Sequence, residues 1–433
     1  PEDPRHGEWV RTAAGDGAIY LDTASRRARG PAGIRLSDLD AALAPHGLFY
    51  PPTLTETSAM IGGTIATNAS GARSYRYGPT RCWVDAVRVV TPRGDNRWLR
   101  RGERRAENWV LRLEDALPPV TLPEALDARH LQNVKNAAGY YVAPDIDAVD
   151  LLIGGEGTLG IVTEAEVRLE PRPGEAVTLI VFTTQRDRAL DFADAVRERL
   201  FDPWSALAVE YFDSRSLAFM SRSYAEIPDA AAAVLVELSP PPEEDAWYRA
   251  EGAFNAFGER TAHYQPMDIW AVLPTEREEV RLFRHSLPDR VNDYVRTRRG
   301  KLGTDLSVPG AQFRKLVEAY DDAAASGIET VLFGHLGEYH LHLNFLADDA
   351  EEMARAREIY TALARKAVDL GGSVSAEHGV GKKRVWIDRE TTVPYLQLMY
   401  GLQGIAAMRS LKQQLDPQWV LNRDTLIPWE TSG

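Results

Sequence analysis

Apolar residues alternate with polar ones in several short stretches of this chain and recur at helical spacing in a few longer ones. VDAVRVVTP (84–92) and LGIVTEAEVRLEP (159–171) have the period of two expected of strands with one buried face. Around them, over residues 1–172, lie the densest glycine clusters. PRPGE (171–175) closes this region, because two prolines and a glycine stop a strand. The pattern then becomes strand followed by helix. VTLIVFTT (177–184), LAVEYF (207–212) and AAAVLVELS (231–239) predict strands. DRALDFADAVRERLF (187–201) and EDAWYRAEGAFNAFG (244–258) predict helices, with SPPPEED (239–245) as a polar connector inside the same domain. From 385 the chain reads as helix through TTVPYLQLMYGLQGIAAMRSLKQQL, then as an extended tail, DPQWVLNRDTLIP. The expected class is α+β, with domains over 1–172 and 173–384 and a tail over 385–433 that returns to the first domain.

At 433 residues the chain exceeds what one core usually serves, which supports more than one domain. A hydrophobic share of 44% and a charged share of 26% are ordinary for a globular protein. No run approaches the roughly 18 apolar residues of a membrane span. The polar N-terminus lacks the apolar core of a retained signal peptide. A cytoplasmic location is expected, with peripheral attachment to a membrane and homodimerisation left open. The net charge of −13 argues against nucleic acid, which is bound through clustered Lys and Arg. RRGERR (100–105) is short enough to be a solvated hairpin. With Cys82 alone, the chain forms no internal disulfide and no iron–sulfur cluster of its own.

Candidate chemistry concentrates in two segments, GHLGEYHLHLNF (334–345) and SAEHGVGKKR (375–384), which hold four of the nine histidines. His335 and His342 with Glu377 make an N,N,O set that a divalent metal (zinc, manganese or iron) accepts with positions left open. His378 stands beside them as a base. The alternative is that HLH is ordinary strand alternation, one exposed face carrying histidines without ligand duty. Two glycine-rich segments, MIGGTIATNASGARSYRYGPTR (60–81) and GGEGTLGIVTEAEVRLEP (154–171), allow backbone N–H groups close to a bound anion or ring. Neither is a GxGxxG opening a helix, so a Rossmann site is disfavoured.

GLFYPPT, IGGTIATNASG, YGPTR, GYY, GGEGTLGIVTEA, FRH, TDLSVP, GHLGEYHLH, EHGVG and LDPQWVLN occur in that order between residues 47 and 422, within a resemblance that covers about residues 29 to 428. In order and spacing they resemble the FAD-linked oxidases of the vanillyl-alcohol oxidase/p-cresol methylhydroxylase fold, in the D-2-hydroxy-acid dehydrogenase and glycolate oxidase branch. The resemblance implies a flavin-binding domain and an antiparallel-sheet cap with helices on one side. It places FAD, held covalently or not, against Pro52, Ser58, Ile61, Gly62, Gly63, Thr67, Asn68, Gly71, Glu156, Gly157, Gly160 and Ile161, with Asn422 closing from the tail. In the cap it puts His335, His342 and Glu377 on the metal, His378 on the base and Arg284 on the substrate carboxylate. The implied reaction is oxidation of a small D-2-hydroxy acid, of D-lactate or glycolate type, to a 2-oxo acid by hydride transfer to FAD. A quinone, carrier flavoprotein, cytochrome or oxygen would then reoxidise the flavin. Rival readings are another flavoenzyme of this fold, such as an ether-lipid synthase or aryl-alcohol oxidase, and a non-catalytic electron-transfer subunit of a flavin complex.

Departures from the family pattern are specific. Residues 1–30 contain no adjacent glycine pair, so the pyrophosphate loop is expected to be altered or absent from these residues. GEYH (337–340) stands where the family has GDGN, which puts Tyr339 and His340 beside the expected metal. Gly303 precedes Asp305 where some members carry a lysine, and the tail reads LNRD instead of LNPG.

Overall fold

Which strand faces are buried follows from the alternation, but the hydrogen bonds that sort segments between domains do not. The computed structural model describes residues 7–11, 18–113, 118–174, 176–221, 226–241, 257–272, 277–296, 298, 300–387 and 391–429. The helix expected over 244–258 lies outside them apart from its last two positions. The chain forms two compact units: residues 1–71, 77–172 and 367–433 in the first, 72–76 and 173–366 in the second. Among the described residues no helix is long and apolar enough to cross a membrane.

The first unit is built on six strands: β1 (Glu8–Arg11), β2 (Ala18–Asp22), β3 (Arg27–Pro31), β4 (Val84–Val90), β5 (Asn96–Arg100) and β6 (Ile161–Arg168). They pair antiparallel in the order β1-β2-β3-β6-β4-β5. Ile19, Leu21, Ala28, Val84, Val87, Val89, Ala165 and Val167 are buried, as alternation requires. The basic run after β5 is not a solvated hairpin. Arg101 Nη1 lies 2.7 Å from Asp150 Oδ2, and Arg81 Nη1 lies 3.1 Å from Asp150 Oδ1. Burial pushes the Asp150 carboxyl up, but the two guanidiniums outweigh it and hold the group below the usual carboxylate range.

Residues 367–384, which the sequence pattern assigns to the cap, group with the first unit, and their hydrogen bonds explain why. Ala137 N donates to Ser375 O (2.8 Å), Tyr395 Oη to Val374 O (3.0 Å) and Leu426 N to Gly381 O (2.8 Å). The C-terminal helix begins only at Gln397, after a short hairpin of Arg384–Trp386 with Thr392–Pro394. The helix expected through TTVP fails there because proline removes a donor and disfavours helical geometry in the residue before it. At its far end, wholly buried Lys412 donates to Thr158 O (2.8 Å), Asp416 Oδ2 (2.8 Å) and Leu421 O (3.0 Å). That pair fixes the start of the tail.

Among the described residues the second unit carries eight strands: β7 (Val177–Thr183), β8 (Ser205–Asp213), β9 (Ala232–Ser239), β10 (Asp268–Val272), β11 (Gly300–Gly303), β12 (Leu306–Ser307), β13 (Thr330–Gly334) and β14 (His340–Ala347). The antiparallel order is β10-β7-β9-β8-β13-β14-β11, with β12 also on β14. Ile180, Phe182, Phe212, Leu235, Val331 and Leu346 cluster with Leu217 and Met220 of the helix Ser214–Met220 and with Phe283 and Leu287 of the helix Arg277–Val295. This rigid sheet positions the histidines.

Candidate functional site

All eight residues of β14 are buried, so the histidines are not on an exposed strand face. Alternation puts His340, His342 and Asn344 on one side and Leu341, Leu343 and Phe345 on the other. Register brings in the rest. Phe333 of β13 pairs with His342, Gly334 pairs with Tyr211 of β8, and His335 follows directly at the start of the turn back into β14. Gly334 has φ +143°, and a Cβ there would lie 3.1 Å from His340 O and from His342 Cδ2. The positive φ favours glycine here, and a side chain would in addition press on both neighbours.

Each of the three rings has an oxygen neighbour on one nitrogen. His335 Nδ1 lies 2.8 Å from Glu210 Oε1, His342 Nδ1 lies 3.0 Å from Thr304 O, and His340 Nε2 lies 3.1 Å from Asp305 Oδ1. Ring centroids are 4.4 Å apart for His340 and His342, 5.7 Å for His335 and His340, and 6.0 Å for His335 and His342. Each residue offers a ring nitrogen within 4.8 Å of those of the other two. A nitrogen donor set of this kind, buried and backed by oxygen acceptors, fits a divalent metal. Tyr339, in left-handed conformation (φ 56°), does not join it. Its ring packs under the Arg197 guanidinium (4.2 Å) and against Phe313 (5.5 Å).

Glu377 and His378 belong to the first unit. Glu377 is buried and ion-paired with Lys135 (2.7 Å), itself nearly inaccessible, and Ser70 Oγ donates to the same carboxylate (3.4 Å). His378 Nε2 is 3.6 Å from Glu377 Oε1, and its side chain is 57% exposed, so solvent reaches the imidazole. Arg284 falls in the helix Arg277–Val295, with its side chain outside the described residues.

Of the residues expected to line a flavin, Ile61, Gly62, Gly63 and Thr67 lie on the helix Ile61–Thr67, and left-handed Asn68 (φ 49°) ends it. Asn68 Oδ1 accepts from Arg81 N at 2.9 Å. Glu156 and Gly157 turn the next loop through left-handed conformations, φ 49° and 68°. Gly154 N and Glu156 N donate to Ile65 O (2.9 Å) and Ala66 O (2.8 Å), so this loop is tied to that helix. Asn422 Nδ2 donates to Glu156 O (2.6 Å). Glu156 itself accepts from Val380 N (2.6 Å) and Gly381 N (2.7 Å), which brings the EHGVG segment to the glycine loop. Pro52, Gly71 and Gly160 are buried. Ser58 is exposed and bonded to Glu56 (2.6 Å), whereas Ile161 is 50% exposed. A separate cavity of about 330 Å³ in this unit, lined by Val89, Leu99, Leu152, Leu159 and Leu415 among others, touches none of these positions.

Sequence reasoning missed Glu210, Asp305 and Lys135 as partners of the candidate ligands. For the first and second a signal existed, since a lone acid inside an apolar strand run (LAVEYF) or beside one (TDLSVP) is buried only when paired.

These features are those of a flavin-linked oxidoreductase, and the chain belongs to the FAD-linked oxidases. Residues 172–426 match the C-terminal domain of FAD linked oxidases, and residues 6–100 match an FAD binding domain. Among curated proteins it is 29% identical to glycolate oxidase subunit GlcD of Bacillus subtilis, covering 93% of this chain and 76% of that one. It is 28% identical to D-2-hydroxyglutarate dehydrogenase of Stutzerimonas stutzeri, covering 90% and 75%. It is 26% identical to D-lactate dehydrogenase of Archaeoglobus fulgidus, covering 94% and 79%. A solved alkyldihydroxyacetonephosphate synthase superposes with a TM-score of 0.58 at 16% identity, over 97% of this chain and 66% of that one, which supports the fold. The family and the α+β architecture read from motif order and alternation are thereby borne out.

Proposed function

We propose that the protein oxidises a D-2-hydroxy acid to the 2-oxo acid, with FAD as hydride acceptor and a divalent metal at the histidine strand. The observation that carries this reading is the buried set of imidazoles, each backed by an oxygen. An enzyme of this family that needed only a flavin would have little reason to bury such a set. When bound, FAD supplies the two-electron acceptor and the metal supplies Lewis acidity toward the substrate hydroxyl. His335 and His342 would hold the metal, with Glu377 as the carboxylate ligand. His378, solvent-accessible, would take the hydroxyl proton on its imidazole. Arg284 would pair the substrate carboxylate in a bidentate fork.

For the flavin, small or apolar groups are exposed on the helix Ile61–Thr67, just before it and just after the 154–160 loop. Met60 and Ile161 are each 50% exposed, and a Cβ on Gly63 would meet nothing within 4 Å. Such a ledge fits a large planar ligand. Glycolate, D-lactate and D-2-hydroxyglutarate are the substrates to try first, because relatives carry those names. The test is anaerobic bleaching of the FAD-reconstituted protein by these acids. Equal bleaching by alcohols lacking a carboxylate would refute the carboxylate clamp, and no bleaching by any 2-hydroxy acid would refute the substrate class.

A further inference from the structure

We infer that His340 is a third imidazole ligand and Asp305 its positioning carboxylate, so that the second unit holds a divalent cation on three nitrogens. The inference rests on the metal reading above and assigns a residue where the family pattern has asparagine. Three observations meet at this ring. First, metal-bound histidines as a rule give their second nitrogen to a carboxylate or carbonyl, which fixes the tautomer and aims the ring. Glu210 and Thr304 O do this for His335 and His342 by hydrogen bonds through Nδ1, and Asp305 Oδ1 lies 3.1 Å from His340 Nε2, at ion-pairing distance but without hydrogen-bond alignment. By that logic Nε2 of His335 and His342 and Nδ1 of His340 are the donor atoms. Second, His340 is wholly buried and its ring lies closer to His342 than His335 does, so a cation touching the outer two rings has the third within reach.

Third, Glu210 and Asp305 are buried carboxyl groups beside these rings, and a cation on three imidazoles lowers the cost of holding them there. In the first unit, meanwhile, Glu377 is already engaged by Lys135 at 2.7 Å. A site with a third histidine depends less on that carboxylate than a site with two.

The experiment is metal binding by the chelator-stripped full chain, with zinc(II) titrated against a chromophoric competitor and cobalt(II) followed by its visible bands. Near-UV circular dichroism checks that each variant is packed. The wild type should take up one equivalent. His340→Asn should weaken binding by more than ~100-fold and move the cobalt bands, because a ligand is lost and not merely its support. Asp305→Asn should weaken it by about 10–100-fold, the usual effect of an outer carboxylate. If His340→Asn keeps wild-type affinity and spectrum, this inference is overturned while the reading with His335, His342 and Glu377 stands. If the wild type binds no metal, both are overturned. Should His340→Asn lose its packing, Asp305→Asn decides: unchanged affinity there overturns the inference.

Discussion

In the roles proposed for them, the histidine strand of the second unit and the glycine loops of the first would hold groups in place for a ligand by opposite means. On the strand the working atoms are side chains. The sheet fixes them through register, and Glu210, Thr304 and Asp305 fix the rings. In the loops the working surface is backbone, bent through left-handed residues Asn68, Glu156 and Gly157 and tied by Glu156 to Val380 and Gly381. A side-chain site fails when one group is removed. A loop site fails when the ties that shape it are removed, even though none of them touches a ligand.

The largest effects should therefore come from single truncations at the strand and at the proposed base. His335→Ala and His342→Ala should lose metal and activity together. His378→Ala should keep its metal while the rate of flavin reduction falls by about 10²–10⁴, the usual contribution of a positioned base. Loss of metal from His378→Ala with retention by His335→Ala would invert the roles. Unchanged rates in all three would leave these histidines as structural residues.

In the first unit, the comparable blow is to the buried pair beneath the loops. Lys412→Met leaves Asp416 charged and wholly buried without its partner, which should cost about 3–5 kcal/mol. Thermal or urea unfolding reads this directly. A variant as stable as wild type would mean that solvent reaches Asp416 once the lysine is gone.

Legibility divided along the same line. Candidate side chains stood out by type and spacing, as His335, His342, Glu377 and His378 did, and alternation gave β4, β6, β7 and β9. Backbone ties left no such mark. Nothing in SAEHGVG states that its amides will be held by Glu156, 224 residues away for Val380, so residues 367–384 read as part of the cap. RRGERR reads as solvated because its partner, Asp150, stands on a distant short helix. Tyr339 reads as crowding the histidines until the left-handed turn carries it to Arg197 and Phe313.

Each unit also holds a carboxylate pushed upward by burial, and the two sharpen the contrast. Asp213 ends β8, accepting from Ser216 N (2.7 Å) and Leu332 N (3.1 Å), and burial raises its pKa to about 6 against those hydrogen bonds. A carboxyl with a raised folded-state pKa binds its proton more tightly folded than unfolded. Its contribution to stability is thus fullest in acid and is lost as pH rises through about 6. Compared with Asp213→Asn, which does not titrate, the wild type should lose about 2 kcal/mol of relative stability between roughly pH 4 and pH 7, allowing for partial solvent screening. Parallel urea curves for the two proteins at each pH make the test; a constant difference would show that Asp213 does not titrate in this window.

The smallest effect, and the one that tests the loop side alone, concerns Glu156. Burial raises its pKa, and the Val380 and Gly381 amides work against that rise. Glu156→Gln keeps the shape but presents an amide group to one of two N–H donors, so one of the bonds at 2.6 and 2.7 Å must go. Hydrogen bonds to a charged acceptor are worth about 1.5–3 kcal/mol, and removing a partly desolvated charge returns part of that. The net loss should be near the bottom of that range, about 1.5 kcal/mol. It should be concentrated in faster hydrogen exchange at Val380 and Gly381, with β14 unaffected, because the strand's geometry comes from sheet register and not from this carboxylate. Uniform exchange changes across both units would show that Glu156 supports the whole fold and not one loop; unchanged exchange at Val380 and Gly381 would show that the loop is shaped without it.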